Sequence, residues 1–160
     1  MMSPTVFLRT LLSFARNRKG TSAVELALCL PLLAGLVVPL TDLGMGAYTQ
    51  MQVGNAAQAG AEYAGVVGFN STNIASAVTN ATSLPGVTAT PTPSQSCNCV
   101  TATGTVGPSQ GTPPCAQTCA SGKIGTFVTV SAQATYTTLF DYPGISSPLT
   151  ITAQSVIRIK

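Results

Sequence analysis

The sequence predicts an α+β protein: a long N-terminal helix, part transmembrane and part extracytoplasmic, then a short helix and a small antiparallel β domain with a disulfide-stapled loop. Three observations carry that expectation. Residues 26–41, LALCLPLLAGLVVPLT, run without a charge behind a basic leader. Residues 124–140 alternate with the period of two that marks a strand with one buried face, and LTITAQSVIRIK at the C-terminal end reads as its partner. Four cysteines cluster in the Pro/Gly-rich stretch that precedes these strands.

The apolar run comes first. A helix rises about 1.5 Å per residue, so a ~30 Å hydrocarbon core takes about 20 residues. The uncharged run falls slightly short of that. It becomes adequate if the helix starts near Ala23, with Glu25 at the boundary, and continues past Asp42 into LGMGAY. Pro31 and Pro39 lie inside it, and membrane helices tolerate proline better than soluble ones. Cys29 reads as small apolar filler. Arg9, Arg16, Arg18 and Lys19 crowd the N-terminal flank, and the next base is Lys123. The positive-inside rule then places residues 1–20 in the cytoplasm and the chain from about residue 45 outside. A cleaved secretory signal is the rival, because GMGAY offers a small-x-small site. The long basic region, with its own apolar stretch TVFLRTLLSFA, favours retention. So does the direct passage of the apolar run into a helix-like segment.

Residues 48–68, YTQMQVGNAAQAGAEYAGVVG, continue the same helix. Gln52, Asn55, Gln58 and Glu62 make a polar stripe, while Ala56, Gly60, Ala64 and Gly68 recur every four residues. Small residues at that spacing form a smooth ridge that another element can approach closely. Its partner is either the protein's own sheet or a neighbouring subunit. Asn70 is placed to cap a short helix, STNIASAVTNAT, ending at the LPG break. The sequons at Asn70 and Asn80 read as caps and turns.

Residues 69–160 form the β-rich domain, with a cysteine-containing loop at 91–122. Residues 124–140, IGTFVTVSAQATYTTLF, set Val128, Val130, Ala132, Ala134 and Tyr136 on one face. DYPGISSP is a turn or loop, and LTITAQSVIRIK pairs back as an antiparallel strand. Cys97, Cys99, Cys115 and Cys119 are spaced C-x-C and C-x-x-x-C. Zinc sites favour C-x2-C pairs, and an extracytoplasmic compartment preserves disulfides, so two disulfides are expected and no metal. Pairing within C-x-C is strained. Of the remaining patterns, a nested Cys97–Cys119 with Cys99–Cys115 is preferred over the crossed alternative.

Composition excludes several functions. The chain has no histidine, so Ser–His and Cys–His nucleophiles and His-ligated metals are absent. Its four acids stand apart, with no i, i+3 or i+4 pair. From Thr21 onward three bases face four acids, a net of −1, which leaves no basic face for nucleic acid. Neither an enzyme nor a cofactor is expected.

The stretch KGTSAVEL joins a basic leader, a glycine, four residues, a glutamate and an apolar helix. It matches the processing signature of type IV pilin-like proteins. The sequence that follows, LALCLPLLAGLVVPLTDLGMGAYTQMQVGNAAQAGAEYAG, resembles the TadE family of the Tad (tight adherence) pilus system. That family runs from glycine through AVE, an apolar run with proline and DLG to an Ala-rich NAARAGA-like helix. Where the usual processing motif has an aromatic after the glutamate, this chain has Leu26. The resemblance implies a pilin-like minor pseudopilin of the bacterial inner membrane, cut by a prepilin peptidase between Gly20 and Thr21. It further implies partners among other pseudopilins and pilins, the inner-membrane Tad assembly platform and the lipid bilayer. Glu25 would pair with the Thr21 amine freed by cleavage, in its own or a neighbouring subunit. The alternative from another class is a periplasmic binding or adhesion module that keeps its signal sequence as a plain anchor.

Overall fold

A computed structural model of the chain describes residues 21–116, 118–120, 122–140 and 147–159. The basic leader, Gly20 and the Pro143-Gly144 turn signal lie outside them. The chain divides into two compact units, 1–43 and 44–160.

One helix, α1, runs Thr21–Val67 over 47 residues with Pro31 and Pro39 inside it. Its part in the first unit leaves nearly every side chain open: Leu28, Leu32, Leu36 and Leu40 are all exposed. This pattern is compatible with a single-pass membrane anchor, because apolar surface on such a scale is unfavourable in an aqueous medium. The helix is long and apolar enough to cross a membrane.

In the second unit the same helix becomes one-sided. Val53, Ala56, Ala57, Ala61 and Ala64 are buried, at the three- and four-residue spacing of a single face. Gly68, at φ +96°, ends the helix, its N–H donating to the Ala64 carbonyl at 3.0 Å. Asn70 then caps α2 (Ser71–Asn80), its side-chain oxygen accepting from the Asn73 N–H at 3.1 Å. α2 turns Ile74 and Val78 into the core.

The sheet has four strands: β1 (Ser94–Val100), β2 (Val106–Ser109), β3 (Lys123–Tyr136) and β4 (Leu149–Arg158). Their order is β2-β1-β3-β4, and every neighbouring pair is antiparallel. β3 is the spine. Its Val128, Val130, Ala132 and Ala134 lie buried with the α1 stripe, Ile74 and Val78, joined by Val87 and by Ile151 from β4. β3 and β4 pair without a bulge from Phe127↔Arg158 to Tyr136↔Leu149. Upstream of β1, Thr88 bridges Gln133 through both backbone hydrogen bonds, 2.9 and 2.8 Å.

Two strands occupy the stretch read from sequence as a Pro/Gly-rich loop. β1 and β2 carry almost no large apolar alternation, SQSCNCV and VGPS, and are held by polar contacts instead. The Asn98 amide donates to the Gly107 carbonyl at 3.0 Å, and the Ser96 hydroxyl to Asn98 Oδ1 at 2.8 Å. β3 also stops at Tyr136, short of the alternating run that continues in sequence to Phe140.

Candidate assembly site

The residues singled out by sequence fall in three places. Glu25 sits one turn into α1 and is exposed among exposed leucines. Thr21 is the first helical residue, so the proposed mature N-terminus and Glu25 are separated by one turn of the same rod. An i, i+4 spacing puts two groups on one side of a helix, close enough for an amine and a carboxylate to interact. Cys29, a further turn on, is the one free cysteine and is exposed.

The small-residue ridge is turned inward. Ala56 and Ala64 are fully buried, and Gly60 is buried between them. A β-carbon at Gly60 would stand 2.5 Å from Val78 Cγ2 and 2.9 Å from Val130 Cγ1, so glycine is what lets α1 lie this close to α2 and β3. The ridge therefore serves the protein's own core. Gly68 does not belong to it. A strict four-residue step drifts by about 40° per step from a helix of 3.6 residues per turn, and three steps carry Gly68 off the contact face. It is there for its positive φ, with nothing within 4 Å of where its β-carbon would be. Gly65, absent from the ridge as read, packs instead on Ile157, whose Cδ1 is 2.6 Å from the corresponding position.

These distances set a stability contrast. Gly60→Val is expected to destabilise the β-rich unit by about 1–3 kcal/mol through overpacking. Gly54→Ala, where nothing lies within 4 Å, is expected to stabilise it by about 0.5–1 kcal/mol from helix propensity. Thermal unfolding of the full chain in detergent reads both signs.

The cysteines form two bridges, crossed and not nested: Cys97–Cys115 and Cys99–Cys119. The β1–β2 hairpin is the reason. After β1 the chain turns back through β2 and passes Cys97 again, where Cys97 N–H donates to the Gly111 carbonyl at 2.8 Å and Gln110 N–H to the Cys97 carbonyl at 2.6 Å. The first cysteine of each pair meets the first of the other, and the second meets the second.

The bridges also occupy a definite place. Cys97 pairs in register with Thr126 and Cys99 with Ile124, on the face that β3 presents to α1. α1 has reached its last turns where Gly65 meets Ile157, itself opposite Val128. Beyond that point the stapled segment takes over as cover, with Cys115 Sγ 3.4 Å from Thr126 Oγ1.

Among the described residues no group of three or more His, Cys, Asp or Glu side chains is placed to hold a metal ion. The basic side chains there are Lys123 and Arg158, one on each of two strands. The first unit is an apolar helical stretch with Glu25 near its start, and the second holds the two disulfides.

Residues 20–62 match the family model described as TadE-like protein. The match begins at Gly20 and covers Glu25, the apolar run and the first half of the inward-facing ridge. No curated protein and no solved structure matches the chain.

Proposed function

We propose that the chain is a TadE-like pseudopilin, a membrane-anchored structural component of a Tad/Flp pilus assembly or secretion system, cut by a prepilin peptidase. The observation that carries this reading is where the family match starts. It opens at Gly20, one residue before a helix whose fifth residue is its first acid and whose next turns are apolar and unburied. A peptidase acting at Gly20–Thr21 would remove the basic leader and leave the rod on the product. The new α-amino group would lie beside Glu25, in its own chain or in a neighbour's.

In this reading α1 crosses the bacterial inner membrane once, with residues 1–20 in the cytoplasm and the stapled β unit outside. Its partners are the prepilin peptidase, other pseudopilins and pilins, and the inner-membrane Tad platform. The role is structural and involves neither catalysis nor a cofactor. The small-residue ridge is used up in the protein's own core, so contacts with other subunits fall to the apolar part of α1, where leucines remain uncovered.

Gly20→Leu tests the processing step. The bulky side chain blocks peptidase access, so the variant is expected to keep its leader and run larger than the wild-type product in membrane fractions. It should also fail to join the pilus apparatus. A variant with the same mature size as wild type contradicts the proposal.

A further inference from the structure

Strand β3 descends α1 toward the helix's N-terminal end. Val130 lies at Gly60, and Tyr136 lies at Gly46, with its Cε1 3.7 Å from where a Gly46 β-carbon would stand. The two paths agree: the helical stretch measures about 21 Å and the strand stretch about 20 Å. Just past the end of β3 the Thr138 N–H donates to Ser147 Oγ at 3.3 Å, which ties the two sides of the β3–β4 connection together within two residues of Tyr136. Next in the chain, Leu139 is 63 % exposed and Phe140 is 56 % exposed. Met45 and Tyr48 are also exposed at this end of the unit.

Chain connectivity says what lies near this end. A hydrocarbon core of ~30 Å holds about 20 helical residues, so a span starting near Ala23 leaves the core at about residue 43. Gly46 then stands in the headgroup layer, with Tyr136 beside it. Large apolar side chains left open at that depth match the interfacial zone, where aromatic residues concentrate and their burial is favourable.

We propose that Leu139 and Phe140, three and four residues past the end of β3, insert into the extracytoplasmic headgroup layer of the bilayer that α1 crosses. The protein then holds the membrane at two points. This rests on the reading of α1 as a retained anchor. Two attachment points fix the tilt and rotation of the β unit on the membrane surface, whereas a single helix would leave it free to swivel.

The chain contains no tryptophan, so single substitutions give clean fluorescent probes. Leu32→Trp, Phe140→Trp and Val106→Trp variants of the full chain are reconstituted in phosphatidylcholine vesicles with plain or brominated acyl chains. Leu32→Trp reports the anchor, and Val106→Trp reports an exposed site on β2 at the far edge of the sheet. The expected result is loss of emission in brominated lipid for Leu32→Trp and Phe140→Trp, with none for Val106→Trp. Quenching at Leu32→Trp but not at Phe140→Trp overturns the inference and leaves the anchor standing. That includes the case where Phe140→Trp is shielded from aqueous acrylamide, which would mean a protein partner covers it. Quenching at Val106→Trp as well overturns it in favour of a unit lying flat on the bilayer. No quenching at Leu32→Trp removes the anchor and this inference together. Should Phe140→Trp fail to fold, Leu139→Trp gives the same readout.

Discussion

Removing either disulfide is expected to destabilise the β unit by about 3 kcal/mol, because each closes a loop of similar length in the unfolded chain. The sequence separations are 18 for Cys97–Cys115 and 20 for Cys99–Cys119. The two loops overlap, so losing both is expected to cost less than twice the single loss. The damage should begin at the end of the sheet that α1 does not reach, since β1 and β2 have little apolar core of their own. Hydrogen exchange on a Cys99→Ser/Cys119→Ser variant should therefore show early opening of β1 and β2 while β3 and β4 stay protected. Alkylation tests the pairing itself. Wild type should take one label, at Cys29, and Cys97→Ser should add a second at Cys115. A second label at Cys119 would restore the nested pattern and contradict the crossed one.

If the chain is cut and assembled as proposed, Glu25→Ala is expected to leave it cleaved and inserted but to abolish co-purification with pilins and other pseudopilins. Insertion should change little, because Glu25 lies at the boundary of the span and not at mid-membrane, where an acid is unfavourable by roughly 2.5–3.5 kcal/mol. What is lost is the partner of the freed Thr21 amine. Leaving one charge of a desolvated pair uncompensated costs about 3–5 kcal/mol, and every 1.4 kcal/mol is tenfold in affinity. Co-purification from membranes should fall by more than a hundredfold, with Glu25→Asp retaining part of the signal. An alanine variant that assembles normally would reduce Glu25 to an ordinary charge near a helix start.

The parts legible in sequence were those whose signal is local. α1 declared itself by an uncharged run that passes directly into a helix-like segment, and α2 by the Asn70 cap. The even face of β3 is the buried one, as alternation requires: Val128, Val130 and Ala132 are fully buried. β1 and β2 were illegible because polar hydrogen bonds and bridges hold them, and those leave no periodic trace. The disulfide pairing failed for the same reason, since its crossed order follows from a hairpin that the residues do not announce. Gly65 was missed because a fixed four-residue step was used on a helix whose contact face alternates threes and fours. The candidate site divides similarly. Glu25 and its apolar surroundings are visible in a single line of sequence, whereas the exposed Leu139 and Phe140 acquire meaning only once β3 is seen to run down α1.

The most direct test is the intact mass of the protein recovered from membranes of cells that carry the pilus system. The account predicts a chain that begins at Thr21 and sediments with the membrane, its apolar helix still attached. A chain beginning at Met1 would make α1 a plain anchor. One beginning near residues 46–49, found in the soluble fraction, would mean the helix had been discarded and would contradict the account.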